Sequence, residues 1–136
     1  MAWVVDTCLL IDVAEADPRF GVPSAQLLDR QRPAGLVICP VSDVELAPVF
    51  NADEALQQQF LQNLAVSGQE PWTPADTRAA RLAWHQYVTR RRAGPVPKRP
   101  LADILIGAFA LRHQGILTRN ATDFRQCFPA LKIIVP

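Results

Sequence analysis

The sequence lacks the features that define membrane-spanning, secreted and zinc-binding proteins. No apolar run approaches the roughly 18 residues that a membrane span requires. The N-terminus has no basic leader and carries Asp6 and Asp12 within its apolar stretch, so we expect no signal peptide. The three cysteines, Cys8, Cys39 and Cys127, are odd in number, widely spaced and without a CxxC pair. This pattern argues against a disulfide framework and a structural zinc site, and it favours the reducing cytoplasm.

The motifs of several common catalytic families are also missing. The sequence has no P-loop, no GxGxxG fingerprint and no GxSxG nucleophile elbow. Its only two histidines, His85 and His113, fall towards helix ends, where we expect surface or boundary positions and no ligand role. Hydrophobic residues make up 49% of the chain and charged residues 20%, which excludes a disordered chain. We expect one domain over residues 1–136, large enough to bury a core.

Acidic side chains are scarce in the second half of the chain. Residues 1–77 carry eleven acids and three bases, a formal charge of −8, whereas residues 78–136 carry eleven bases and two acids, a formal charge of +9. This asymmetry indicates a polyanionic partner, although one basic, solvated helix face would also produce it. The only acids of the basic half are Asp103 and Asp123, which makes both candidates for a functional role.

Short apolar segments alternate with helical segments along the chain. Strands are predicted at residues 2–6, 36–39, 70–72, 116–118 and 131–135. Helices are predicted at residues 7–16, 24–31, 41–50, 53–66, 73–92, 101–114 and 121–128. This alternation of apolar strands with helices predicts an α/β fold, with a central, mainly parallel sheet of about four to five strands flanked by helices on both faces.

Four acids fall at the carboxyl ends of the predicted strands, where open parallel sheets collect functional groups. Asp6 ends the first strand, Glu45 lies one turn into the helix after the second, and Asp103 and Asp123 lie near the starts of their helices. Carboxylates that converge repel one another and raise one another's pKa values unless a cation lies among them. Each also has a simple explanation as a helix cap or dipole partner. Periodicity does not decide whether Glu45 or Asp43 points inward.

A set of carboxylates without histidine or cysteine suits a hard divalent cation. Mg²⁺ and Mn²⁺ take oxygen ligands, and Mg²⁺ is usually held by few carboxylates together with water and substrate phosphate. Such an ion lowers the pKa of bound water and neutralises the charge that develops in phosphodiester displacement. The remaining acids are not expected at this site: Asp12 is predicted to be solvated or structural, and Glu70 and Asp76 to be solvated.

A basic segment, RRRAGPVPKR, leads directly into the helix of Asp103. Its bases are Arg90, Arg91, Arg92, Lys98 and Arg99. Contacts between such bases and phosphates give sequence-independent, salt-sensitive affinity for nucleic acid. A basic helix C-terminus is also favoured by the helix dipole. We therefore predict RNA binding by these five residues, with a solvated helix end as the alternative.

Four segments, in this order, resemble the motif blocks of the PIN domain: VVDTCLLIDV, SDVELA, LADILIGAFAL and ILTRNATDF. The most specific of them is TRNATDF, at residues 118–124. The resemblance spans nearly the whole chain. The size of the chain and its lack of further domains resemble a VapC-type toxin ribonuclease of a toxin–antitoxin pair.

The resemblance implies a three-layer PIN-like fold and Mg²⁺- or Mn²⁺-dependent endoribonuclease activity. It also implies a homodimer in the cytoplasm that is inhibited by a cognate antitoxin. Carried over by position, the catalytic and metal-binding set would be Asp6, Glu45, Asp103 and Asp123. The polar residues that support it would be Thr7, Thr118 and Asn120. The block after Glu45 lacks the usual glycine a little further on, which leaves the choice between Glu45 and Asp43 open.

Two functions of other classes remain as alternatives. A non-catalytic PIN domain that binds RNA or protein predicts salt-dependent RNA binding that survives EDTA and gives no product. A phosphoryl-transfer enzyme with Asp6 as nucleophile usually carries a second aspartate two positions on, where this chain has Cys8. The sequence does not indicate which RNA is cut or how many metal ions take part.

Overall fold

The computed structural model describes residues 1–98 and 100–136. Within these residues, five short strands form one sheet, and seven α-helices flank it. The strands are β1 (Trp3–Val5), β2 (Leu36–Val37), β3 (Val66–Ser67), β4 (Gly115–Leu117) and β5 (Ile133–Ile134). The helices are α1 (Thr7–Ala14), α2 (Gly21–Gln31), α3 (Pro40–Glu45), α4 (Glu54–Asn63), α5 (Pro74–Ala93), α6 (Leu101–Leu111) and α7 (Ala121–Cys127).

The sheet has the strand order β3-β2-β1-β4-β5, and every neighbouring pair is parallel. The chain runs outward from β1 through β2 to β3, and then crosses back through α5 and α6 to place β4 on the other side of β1. The strand order therefore reverses between β1 and β4. In open parallel sheets, ligands bind at the carboxyl ends of the strands beside such a switch point.

Each face of the sheet is covered by its own set of helices. Along β1, Val4 packs into a core built with α5, α6 and α7. Its neighbours Trp3 and Val5 pack into a second core with α1, α2 and α4. This alternation follows from the pleat of a strand, which points successive side chains to opposite faces. The predicted α/β fold, with helices on both sides of a parallel sheet, is confirmed.

The third strand lies earlier in the chain than the sequence pattern predicts. The helix predicted over residues 53–66 ends at Asn63, and β3 follows at Val66–Ser67. Ala65 has a φ of 56°, in the left-handed region that does not continue a helix. Residues 70–72, predicted as the strand, include Trp72, which packs against the core beside α6 and does not pair with a neighbour.

Proline explains the bounds of two helices. The helix predicted at residues 41–50 stops at Glu45, and a 3₁₀ turn with Pro48 follows at Ala47–Phe50, as expected from a residue without a backbone N–H. In contrast, α2 begins at Gly21, three residues before its predicted start, because Pro23 lies in the first turn, where backbone N–H groups need no partner in the helix.

The start of α5 corrects the prediction that Asp76 and Glu70 are solvated. Thr73 caps the helix and forms a capping box with Asp76. The Asp76 side chain is 1% exposed and accepts hydrogen bonds from Nε and Nη2 of Arg112, both at 2.9 Å. Arg112 also donates to Glu70 at 3.0 Å. The sequence gives no sign of this partner, which lies 36 residues further along the chain.

In the described part of the chain, no helix is both long enough and apolar enough to cross a membrane.

Candidate functional site

Asp6 lies at the switch point of the sheet, directly after β1. Its backbone N–H donates to the carbonyl of Leu117 at the end of β4, at 2.9 Å. Its side chain is buried, with 4% exposure, and Oδ2 accepts hydrogen bonds from the Thr118 hydroxyl at 2.7 Å and the Cys8 thiol at 3.3 Å. The carboxylate makes no capping hydrogen bond to α1. The two strand ends on either side of the switch point are therefore joined through this side chain.

The surroundings of Asp6 disfavour its charge. Burial raises the pKa of Asp6, and the hydrogen bonds from Thr118 and Cys8 oppose this rise only in part. Burial and the nearby Asp6 charge raise the pKa of Cys8 to about 12, so Cys8 stays a thiol and a hydrogen-bond donor. Among residues 1–98 and 100–136, Asp6 has no salt-bridge partner. A buried carboxylate of this kind is stabilised by a proton or by a cation.

Thr7 links the beginning of α1 to α3. Its hydroxyl lies 2.8 Å from both the Ser42 hydroxyl and Oε1 of Glu45. Asp43 points the other way, where Oδ1 accepts from the Gln57 side chain of α4 at 2.7 Å. Of the two acids that the sequence pattern left unresolved, Glu45 is thus the one that contacts Thr7, the residue next to Asp6. Ser42 lies inside α3 and is fully buried.

Thr118 is held in the orientation that serves Asp6. Its hydroxyl oxygen accepts from the backbone N–H of Asn120 at 2.9 Å, so its single hydrogen is directed to Asp6. Thr118 is fully buried. Asn120 takes part through this backbone group, and its exposed side chain does not cap α7. The predicted role of Thr118 as a support therefore has a clear geometric basis, whereas that of Asn120 rests on its main chain.

The other two predicted acids lie in the first turns of neighbouring helices. Asp103 is the third residue of α6 and Asp123 the third residue of α7, and both are partly buried and have interaction partners. Across the described residues, no group of three or more His, Cys, Asp or Glu side chains is arranged to hold a metal ion. Hydrogen bonds connect Asp6 with Thr118 and Glu45 with Thr7, but the four predicted acids do not form one closed ligand set.

The basic cluster lies at the end of α5. Arg91, Arg92 and Lys98 are exposed, and Arg90 is partly buried. The Nη2 atom of Arg90 lies 3.9 Å from the sulfur of Cys127, so the last turns of α5 contact α7, the helix that carries Asp123. The fifth predicted base, Arg99, lies outside the described residues.

The sequence reading missed Arg119, although it stands inside the most specific block. Its guanidinium donates to Oδ2 of Asp12 from Nε at 2.7 Å and to Oδ1 from Nη2 at 3.0 Å. Asp12 is 3% exposed and also accepts from the Ser24 hydroxyl at 3.1 Å, while the guanidinium lies 4.2 Å above the Phe20 ring. Asp12 is therefore structural and not solvated. This clamp of Asp12 and Arg119 fixes the loop that begins at Thr118.

A family model of the PIN domain matches residues 3–127, which include every residue of this site. The chain belongs to the PIN domain family. A similar solved structure is that of VapBC2 from Rickettsia felis bound to a DNA fragment from their promoter. One chain of it aligns with this PIN domain at a TM-score of 0.62 and 14% identity, with 99% of this chain and 98% of that chain covered. At that identity the likeness shows the fold. No curated protein matches the sequence.

Proposed function

We propose that this PIN domain is a metal-dependent endoribonuclease of the VapC type, the toxin of a type II toxin–antitoxin pair. The observation that carries the proposal is the Asp6 carboxylate. It is buried at the switch point between β1 and β4 and held by Thr118 and Cys8. In the described part of the chain it forms no salt bridge. A divalent cation would supply the charge that this position lacks.

The residues at the edge fit Mg²⁺ or Mn²⁺. All candidate ligands are hard oxygen donors, and Mg²⁺ is commonly held by one or two carboxylates with water and phosphate in the other positions. A closed group of three acids is therefore not needed. We propose Asp6 and Glu45 as ligands, with Asp103 and Asp123 acting through water. When bound, the metal lowers the pKa of a coordinated water and neutralises the charge developing on the phosphodiester.

The protein's own side chains would orient the ligands and the substrate. Thr118 and Cys8 both donate to Oδ2 of Asp6 and fix the rotation of the carboxylate, as partners behind a metal ligand do. Thr7 holds Glu45. The exposed bases at the end of α5 and in the loop after it, Arg91, Arg92 and Lys98, would contact phosphates of the RNA strand.

The proposal is tested by incubating RNA with the purified chain in Mg²⁺, in Mn²⁺ and in EDTA. We expect products with either metal and none in EDTA, and no products from Asp6→Asn, whose fold should be intact by circular dichroism. Asp29→Asn is the matched control, because Asp29 is an exposed carboxylate on α2. Cleavage that persists in EDTA, or full activity of Asp6→Asn, contradicts the proposal.

The alternative is a PIN domain that binds RNA or protein without catalysis. The lack of a closed group of three acids in the described residues favours this reading. It predicts RNA binding in EDTA and no product with any metal, so the same incubation separates the two functions.

We further propose that the partner is a cognate antitoxin, and that the chain is a cytoplasmic homodimer. The similar VapBC2 structure, bound to a DNA fragment from the promoter, supports the antitoxin partner, whereas the homodimer and the cytoplasmic location rest on the resemblance to VapC-type toxins. An adjacent reading frame that encodes a small DNA-binding protein would supply the candidate. We expect the two proteins to copurify and the partner to suppress RNA cleavage, and sedimentation of the isolated chain to give the mass of two copies.

A further inference from the structure

One face of α5 combines arginines with an exposed tryptophan. Arg81, Trp84, Val88 and Arg91 recur at spacings of three and four residues, so they form one stripe along the helix. Trp84 is 37% exposed. The only acid of α5, Asp76, is buried and paired with Arg112. All charged side chains exposed on this helix are therefore basic.

Trp84 lines two hollows on this stripe. The first, of about 380 Å³, is the Trp84 hollow, lined by Trp84, Tyr87, Val88, Arg91 and Arg92. The second, of about 510 Å³, lies between α3, α5 and α6 and includes Arg81, Trp72 and Leu101 in its wall. The Trp84 ring is tilted against Tyr87 at a centroid distance of 5.4 Å. Since Tyr87 is buried and donates its hydroxyl to the carbonyl of Pro97, the indole has a fixed support and an open side.

We infer that this stripe binds single-stranded RNA next to the cleavage site, with a base stacked on Trp84 and phosphates on Arg91 and Arg92. The inference rests on the ribonuclease function proposed above. Proteins that bind single strands combine a basic groove with aromatic side chains on which bases stack. Arginine adds bidentate phosphate contacts. The stripe also leads towards the first turn of α6, where Asp103 lies, because Arg112 at the other end of α6 pairs with Asp76 at the start of α5.

Charge favours a polyanion over a second copy of the chain at this face. Packing α5 against α5 of a second copy would bring the arginines of the two copies together, with no exposed acid on either α5 to pair them. Like charges brought together across an interface are unfavourable. RNA phosphates complement the same arginines.

The test is the affinity for a fluorescent, unstructured RNA oligonucleotide, measured in EDTA so that no cleavage occurs. We expect Trp84→Ala to weaken binding about tenfold, since a stacked base contributes this much or more, and Trp84→Phe to keep most of the affinity. Leu82→Ala is the matched apolar control, because Leu82 is 60% exposed on the same helix but lines neither hollow. It should bind like the native chain.

A second pair of variants tests the phosphate contacts. Arg91→Ala should weaken binding and reduce the slope of log affinity against log salt by about 0.7, the value for one phosphate contact to a single strand. Arg78→Ala changes the charge equally but lies outside both hollows, and it should have a smaller effect. Equal effects of the two variants contradict the inference.

Sedimentation of the same proteins separates RNA from a protein occupant. Trp84→Ala should keep the oligomeric state and melting temperature of the native chain. If it binds RNA like the native chain, or if its loss of binding accompanies dissociation of a dimer, the stripe is a protein contact and the inference is wrong. If the native chain binds no RNA at all, the proposed function itself fails.

Discussion

Asp6 and Asp12 lie six residues apart and are equally buried, but their partners differ. Asp12, with 3% exposure, receives two hydrogen bonds from the Arg119 guanidinium and one from Ser24. Asp6, with 4% exposure, receives hydrogen bonds from the Thr118 hydroxyl and the Cys8 thiol. The fold therefore neutralises one buried carboxylate with a cation of its own and gives the other only neutral donors.

The same loop makes both arrangements. Thr118 and Arg119 are adjacent at the end of β4, and they turn a hydroxyl towards Asp6 and a guanidinium towards Asp12. Buried charges are stable when they are paired, or when they bind a metal. The difference shows that the acid with a built-in cation is structural, and it is the ground on which we propose that the equally buried acid without one binds a cation from outside.

The largest expected effect is the loss of activity in Asp6→Asn. We expect RNA cleavage to fall by about 1,000-fold or more, because the charge stabilisation that a metal supplies is worth several kcal/mol. The melting temperature in EDTA should not fall, since the amide oxygen can still accept from Thr118 without a buried charge. A variant that is both inactive and strongly destabilised would make Asp6 structural and remove the contrast with Asp12. Cleavage rates measure the activity of this variant, and thermal melts measure its stability.

Asp12→Asn should show the opposite pattern in stability. Removing one partner of a buried ion pair leaves the other charge unpaired, and we expect a loss of about 3 kcal/mol in the free energy of unfolding. This is at the low end for such pairs because the Arg119 side chain is 29% exposed. Urea denaturation measures it, with Asp29→Asn as the exposed control. A loss no larger than that of the control would show that the clamp is unimportant.

Thr118→Val sharpens the account of Asp6. The change keeps the shape of the side chain but removes the hydroxyl that donates to Oδ2. We expect cleavage to fall about 10–100-fold, as for other partners behind metal ligands. Thr118→Ser should restore most of the activity because it restores the hydroxyl. If valine and serine give the same rate, the hydrogen bond does not position Asp6.

Asp76 extends the comparison to the pH dependence of stability. Burial raises the pKa of Asp76, but hydrogen bonds from Arg112 and Thr73 together outweigh it, so the pKa lies below its ordinary value. A folded-state pKa below the unfolded value of about 3.9 means that the ionised group stabilises the fold above about pH 4. This contribution is lost as the pH falls through the folded-state pKa.

Asp76→Asn should therefore be less stable than the native chain at pH 7, and the difference should shrink as the pH falls below about 4. Unfolding in urea at a series of pH values measures this. A difference that stays constant between pH 7 and pH 3 would contradict the assignment of Arg112 as its partner.

The sequence predicted the features that depend on local pattern. Asp6 stands out because a charged residue at the end of a buried strand must meet the carboxyl edge of a parallel sheet, and the structure places it there. The long helix predicted at residues 73–92 likewise agrees closely with α5 (Pro74–Ala93). The order of the four motif blocks predicted the family that the chain belongs to.

The features that the sequence did not predict depend on tertiary contacts. Asp12 and Arg119 are 107 residues apart, and nothing local marks them as a pair. Whether Glu45 or Asp43 contacts Thr7 depends on the rotation of a six-residue helix, α3, which is too short for periodicity to fix. The position of β3 depends on the left-handed backbone at Ala65, which is not a residue that favours it.

The central claim is that Asp6 is the buried carboxylate that binds a divalent cation. The most direct measurement is titration calorimetry of Mn²⁺ into the native chain, Asp6→Asn and Asp29→Asn, without RNA. We predict that the native chain and Asp29→Asn bind Mn²⁺ with the same affinity and that Asp6→Asn loses this binding. Equal Mn²⁺ affinity of Asp6→Asn and the native chain would contradict the claim.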